Sequence, residues 1–213
     1  MEVWCSHGVV GLSKRELLDA ITAEVIICPK CPLCKSRKNA VPGDGSPNAR
    51  IMFIGEAPGY HENIEGKPFV GDAGKFLDAL LTEVPLSRKK VFITNIVKCR
   101  PPRNRMPRPL EIRACTPYLD RQISAIQPKF IVSLGSISAS HISSRAGVPF
   151  DSITKVHGKF REASVLGLNV TLFPTFHPAA ALHNPKYKQH IVNDFKRLKQ
   201  KLQKERMIKR QSS

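Results

Sequence analysis

At 213 residues and 41% hydrophobic side chains, the chain is long enough for one compact domain over 1–213, burying roughly 70% of its unfolded surface. No stretch approaches the ~20 apolar residues of a membrane span, and Met1 to Gly11 lacks a signal-peptide pattern, so a cytoplasmic protein with no membrane partner is expected. The net charge of +17 points to a polyanion, nucleic acid foremost, though it carries no sequence specificity.

Ser13-Lys-Arg-Glu16 is a capping box ahead of an apolar-periodic run to Val25, which predicts an N-terminal helix. Cys28 to Pro47, rich in Cys, Pro, Gly and Lys, reads as a loop organised around a site. Buried strands are predicted at Ile51–Ile54, Val91–Thr94, Phe130–Leu134 and Val170–Phe173. Helices are predicted at Ala73–Val84, Pro109–Ile126 and Ser136–Ser144, with Pro109 suited to a first helical turn. A last helix from Pro185 to Met207 places Ile191, Phe195, Leu198 and Leu202 on one face and leads into a basic tail, about 185–213. Lys196 to Arg210 holds eight Lys/Arg and one acid, yet the other 198 residues still carry +10, so the basic excess belongs to the body as well. Near-continuous apolar strands separated by helices imply a mainly parallel sheet covered on both faces. Gly55–Gly59, Asn95–Pro102, Gly135 and Thr175–Pro178 then all follow carboxyl ends of strands, where open α/β sheets bind ligands.

Six cysteines in a reducing compartment read first as metal ligands where they pair. Cys28-Pro-Lys-Cys31 and Cys99-(15 residues)-Cys115 form a four-thiolate set that either zinc or a [4Fe–4S] cluster accepts, and spacing alone favours zinc. Cys34 extends the first pair to CxxCxxC. Cys5 and Cys34 read as ordinary thiols.

The cysteine set, the segment Gly55-Glu-Ala-Pro-Gly59 through Phe69 to Gly74, Thr94-Asn95-Ile-Val-Lys-Cys99-Arg-Pro-Pro102, and Thr175-Phe-His177-Pro178 occur in one order. That ordered set, from about Cys28 to Lys196, resembles the family 4 uracil-DNA glycosylases, iron–sulfur enzymes of thermophilic archaea and many bacteria. The resemblance implies a three-layer α/β/α sandwich around a central, mainly parallel four-stranded sheet. It implies a monofunctional repair hydrolase that frees uracil from single- or double-stranded DNA and leaves an abasic site, with no lysine in a Schiff-base context. It also turns the cysteine reading from zinc to a [4Fe–4S] cluster on Cys28, Cys31, Cys99 and Cys115, structural in role, in a prokaryotic protein.

The same resemblance assigns roles along the rim. Asn95 matches a base-reading amide, Phe69 a stacking ring and His177 a catalytic histidine that stabilises charge on uracil O2. By residue type alone, Asn95 equally caps a turn, Phe69 is a core ring and His177 a surface side chain. Glu56 follows Gly55, and Ala57 stands where many relatives in other families place a water-activating Asp or Asn, a departure typical of family 4. Glu56 is therefore assigned to water, loop or sugar-cation support, and equally fits an exposed loop carboxylate. Glu62 matches a position near the methyl-bearing edge of the base, Asn104 a polar position in the Pro-rich loop, and Leu182 a wedge that fills the gap left by an extruded base. Two alternatives remain: a non-catalytic, zinc-stabilised nucleic-acid-binding protein, and a superfamily glycosylase of broader range that includes hypoxanthine. A monomer is expected, and neither end shows a clear clamp-binding peptide.

Overall fold

The computed structural model describes residues 11–211, with side chains as far as Glu205. Ser13 opens helix α1 (Lys14–Ile27) as the capping box predicts: its Oγ accepts from the Glu16 N–H at 3.2 Å, and Glu16 accepts from the Ser13 N–H at 2.7 Å. A 3₁₀ turn at Pro32–Lys35 follows, then the two-residue strand β1 (Asp44–Gly45), strand β2 (Ile51–Gly55) and helices α2 (Tyr60–Glu65) and α3 (Asp72–Glu83). The chain continues through β3 (Phe92–Asn95), α4 (Pro109–Ile126), β4 (Phe130–Leu134), α5 (Ser136–Arg145) and α6 (Ile153–Val156). It ends with β5 (Arg161–Val165), β6 (Leu168–Thr175), α7 (Pro178–His183) and α8 (Pro185–Gln211). Pro109 takes the first turn of α4, where its missing N–H costs nothing.

The sheet runs β1-β3-β2-β4-β6-β5. Its four central strands are parallel, in register Gly55↔Asn95, Ile54↔Ser133 and Leu134↔Thr175. These are the four strands the apolar runs predict. Two further strands, β1 and β5, pair antiparallel at the edges.

Alternation along the strands divides the core. Met52, Ile54 and Ile131 pack with Leu18, Ile21 and Val25 of α1, Leu119 and Ile123 of α4 and Ile142 of α5. Ile51, Phe53, Phe130 and Val132 face the other way, against Leu77 and Leu81 of α3 and Ile191, Phe195 and Leu198 of α8. The result is the expected α/β/α sandwich. Each fully buried Phe or Leu contributes about 1.5–3 kcal/mol relative to exposure, so both faces of the sheet are needed. The parallel strands all end at one rim, at Gly55, Asn95, Leu134 and Thr175.

Candidate active site

A cavity of about 320 Å³ opens at that rim. Glu56, Ala57 and Gly59 follow β2; Glu62 and Phe69 come from α2 and the loop after it; Asn95 ends β3; Asn104 and Arg105 come from the Pro-rich loop; His177 and Ala179 follow β6. Of the residues the sequence singles out, Glu56, Ala57, Glu62, Phe69, Asn95, Asn104 and His177 are thus brought together. Gly55 lies beneath them instead of lining the space. A Cβ there would sit 2.3 Å from Asn95 Oδ1 and 2.7 Å from Phe69 Cζ, so the bare α-carbon is what lets both side chains close over it. Leu182, on α7, is 48% exposed and is not among the lining residues.

Asn95 is buried, and its Oδ1 has no donor among the described residues. Its peptide oxygen, by contrast, accepts from Lys98 Nζ at 2.8 Å. A buried side-chain acceptor left empty is an unusual feature, because buried polar atoms are nearly always paired.

His177 caps the N-terminus of α7, and its Nδ1 accepts from the Ala179 N–H at 3.2 Å. The proton of the neutral ring therefore sits on Nε2. Burial pushes the ring's pKa down to about 4, with the Glu62 carboxylate opposing that shift, so the ring is uncharged at neutral pH. The Phe69 ring stacks near it, centroids 5.6 Å apart and planes 28° from parallel, a contact that leaves no slot between the two rings.

Two carboxylates differ in use. Glu62 is fully engaged: Oε2 accepts from the Gly59 N–H at 3.0 Å, and Oε1 accepts from the N–H groups of Val70 and Gly71 at 2.8 and 3.0 Å. It braces the wall that carries Phe69. The Glu56 carboxylate accepts no hydrogen bond from a described side chain or backbone N–H, and its partial burial raises its pKa above the ordinary carboxylate value.

Asn104 Oδ1 accepts from Arg100 Nε at 2.7 Å. Arg105 also lines the cavity. It forks onto buried Glu111 with Nη1 2.9 Å from Oε2 and Nη2 2.6 Å from Oε1, pinning the Pro-rich loop to α4. Lys98 is a second residue whose placement the sequence does not reveal. Its buried ammonium donates to Thr94 Oγ1, Asn95 O and Gln122 Oε1 at 2.6–2.8 Å, and burial lowers its pKa to about 7. Six-residue spacing on a loop and a lysine amid apolar residues give no sequence signal for either contact.

Cys28, Cys31, Cys99 and Cys115 face one gap between α1, the β3 exit and α4, together with Tyr118 and Lys98. Cys34 is not among its lining residues; its Sγ lies 3.9 Å from Pro29 O. Cys5 lies outside the described residues. N–H groups point at three of the four sulfurs: Lys30 N to Cys28 at 3.5 Å, Arg37 Nη1 to Cys99 at 3.2 Å and Lys98 N to Cys115 at 3.3 Å. Burial raises the thiol pKa of Cys31 and Cys99 and pushes that of Cys115 to about 11, which disfavours their thiolate forms. No three Cys, His, Asp or Glu side chains among the described residues converge tightly enough for a single metal ion.

Residues 42–199 match the uracil DNA glycosylase superfamily. The chain is 54% identical over 186 residues to the type-4 uracil-DNA glycosylase of Saccharolobus solfataricus, covering 87% of this chain and 86% of that protein. It is 44% identical over 183 residues to the type-4 uracil-DNA glycosylase of Archaeoglobus fulgidus, covering 86% and 92%. It is 40% identical over 195 residues to that of Thermotoga maritima, covering 91% and 98%. With a family match over most of its length, and with relatives of this kind aligned nearly end to end, the chain belongs to the uracil DNA glycosylase superfamily, among its type-4 members.

Proposed function

We propose that this chain hydrolyses the N-glycosidic bond of deoxyuridine in DNA, releasing uracil and leaving an abasic site for base excision repair. The observation that carries the proposal is the empty acceptor of buried Asn95, set in a cavity walled by Phe69 and His177. Uracil offers N3–H to Oδ1 and O4 to the Asn95 Nδ2. Cytosine presents the reverse pattern, which leaves buried groups unpaired at about 1–3 kcal/mol each.

The target base has to leave the stack to reach this cavity. Stacking on Phe69 contributes about 1–3 kcal/mol toward holding it there. As the glycosidic bond breaks, negative charge gathers on the base and positive charge on the sugar. The Nε2–H of neutral His177 donates to the oxygen that gains charge, as an oxyanion-hole donor does. Glu56, unpartnered and at the cavity edge, orients the attacking water and faces the developing sugar cation as a carboxylate. Ala57 has no polar group for that work. Glu62 acts on the substrate through the wall it braces, and exclusion of the thymine methyl follows from that wall. Lys98 does not line the cavity, and its amine already has three acceptors, which supports simple hydrolysis over a Schiff-base path. Leu182, exposed on α7 next to the His177 loop, is assigned to the gap left by the extruded base.

The four cysteines of the gap fit a [4Fe–4S] cluster: four sulfur donors from three segments face one space, with N–H groups directed at three of them. Cys28, Cys31, Cys99 and Cys115 would hold it. When bound, it supplies a covalent tie between the segment after α1, the β3 exit and α4, and takes no part in the hydrolysis. We read the chain as a single-domain, monomeric, cytoplasmic enzyme acting on uracil-containing DNA; no helix among the described residues is long and apolar enough to cross a membrane.

The test is base release from oligonucleotides carrying one uracil, thymine, cytosine or hypoxanthine, followed by alkaline cleavage. Cleavage at uracil alone is expected. No cleavage by folded, cluster-loaded protein would overturn the proposal, and equal cleavage at hypoxanthine would move it to the broader superfamily activity.

A further inference from the structure

Phe69 is a strained point of the cavity wall. Its φ of +53° lies in the left-handed region, which a bulky side chain holds only where its surroundings over-determine it. Those surroundings grip one peptide plane from both edges. On the carbonyl edge, Arg88 Nη2 donates to Phe69 O, and Nη1 donates to the preceding Pro68 O at 2.9 Å. On the amide edge, Glu62 accepts from Val70 and Gly71. The guanidinium is aimed by Asp78 of α3, which accepts from Arg88 Nε at 2.6 Å. Gly74 of α3 closes the seat from below, since a Cβ there would lie 1.8 Å from the Phe69 carbonyl oxygen.

Arg88 does not line the cavity. Its Nε, Nη1 and Nη2 each donate to an acceptor within the protein, so three of its five N–H groups are committed inward. The contacts instead converge on a residue whose backbone is strained and whose ring faces His177 and the Gly55 α-carbon.

We propose that the Arg88–Asp78 pair is a positioning device for base recognition. By holding the carbonyls of Pro68 and Phe69, it keeps the Phe69 ring in its stacking orientation before the base arrives. Arg88 is thus a positioning residue that acts on the uracil base solely through Phe69. A preorganised stacking surface spares the complex the ordering that binding would otherwise require. This proposal rests on the reading of Phe69 as the ring on which uracil stacks.

The experiment is a double-mutant cycle on the full-length, cluster-loaded protein: wild type, Arg88→Met, Phe69→Ala and the double variant. Single-turnover uracil excision at saturating enzyme is measured beside melting temperature and affinity for uracil-free DNA at one salt concentration. Phe69→Ala is expected to slow excision about 10–100-fold, in line with a lost base–aromatic stack. Arg88→Met should lose about tenfold or less, with DNA affinity unchanged, and the double variant should be no slower than Phe69→Ala alone. Asp78→Asn should produce a smaller loss that likewise vanishes in the Phe69→Ala background, and it carries the test if Arg88→Met does not fold. Losses that multiply in the double variant, an unchanged rate in Arg88→Met, or a parallel fall in DNA affinity would each overturn the clamp while leaving the stacking reading intact. An unchanged rate in Phe69→Ala overturns the stacking reading itself, and the clamp with it.

Discussion

The backbone N–H of Ala179 donates to Nδ1 of His177 at 3.2 Å, and that single bond decides which ring nitrogen carries the proton. With Nδ1 accepting, Nε2 is the donor, and burial keeps the ring neutral down to about pH 4. A neutral donor gains most when the oxygen it faces gains charge, so its contribution belongs to the transition state. His177→Ala should slow single-turnover excision ~100–1,000-fold. Affinity for uracil-free DNA should change little, because phosphate contacts from the many Lys and Arg dominate it. The pair of measurements, made at one salt concentration, separates the roles: equal losses in rate and affinity would make His177 a DNA contact or a loop support.

Glu56 and His177, two of the titratable groups that line the cavity, predict the pH profile. Folding raises the Glu56 pKa, so as pH falls its carboxylate is lost earlier than an ordinary one. His177, lowered from 6.5 to about 4, stays neutral through that range. The excision rate should therefore fall on the acid side with an apparent pKa above the usual carboxylate value, and Glu56→Gln should remove that limb along with most of the rate. The stability signs also differ. Ionised Glu56 is disfavoured by its surroundings, so Glu56→Gln should melt slightly higher than wild type near pH 7. Protonation of His177 is disfavoured in the folded state, so the stability it contributes is lost as pH falls from about 6.5 to 4. A flat acid limb in wild type, measured by single-turnover rates from pH 4 to 8, would remove Glu56 from the chemistry.

Gly55→Ala tests the floor of the cavity. The added methyl meets Asn95 Oδ1 at 2.3 Å and the Phe69 ring at 2.7 Å, and both must move to admit it. Gly55 sits in an extended strand, so the substitution adds no left-handed strain and the variant should fold. Displacing two groups proposed to contact the base by this much should lower kcat/KM at least ~100-fold, since a misplacement of about 1 Å is enough for that. Near-wild-type kcat/KM would show that the base does not rest on this floor.

The elements that form the site's frame were readable because their physics is local. Four apolar runs, each ended by Gly, Asn or a His-Pro pair, mark both the parallel strands and their carboxyl rim, so Glu56, Asn95 and His177 could be placed together from order alone. Strand β5 was not readable: Arg161, Glu162 and Ser164 are exposed, and with Ala163 and Val165 alone on the core this edge strand lacks an apolar run. Strand β1 is two residues long and is defined by its pairing to Phe92 and Ile93. The Arg88–Phe69, Arg105–Glu111 and Lys98–Gln122 contacts depend on how separate elements dock, and no spacing in the chain encodes them. Cysteine spacing likewise extends the first pair to Cys34 as CxxCxxC, and the separation from the gap of Cys34, which sits on the 3₁₀ turn at Pro32–Lys35, is not encoded in that spacing.

That separation of Cys34 from the other four gives the last prediction. Cys28, Cys31, Cys99 and Cys115 face a common gap from three different segments, whereas Cys34 Sγ lies beside Pro29 O. If the four hold a [4Fe–4S] cluster, each Cys→Ala change at those positions should cut bound iron and sulfide together, bleach the broad visible absorbance and lower the melting temperature. Cys34→Ala should keep all three properties, and so should Cys5→Ala. Cys115→Ala should be among the most damaging, because it also strands the Lys98 N–H that points at its sulfur, beside the strand end that carries Asn95. Iron analysis and absorbance spectra of anaerobically purified variants make the measurement. Equal loss of iron in Cys34→Ala would mean that the first motif rearranges when loaded and that the ligand set is different. Stoichiometric zinc in place of iron, with excision retained, would show that the thiolates serve a single ion and that the tie between α1, the β3 exit and α4 is what the protein requires.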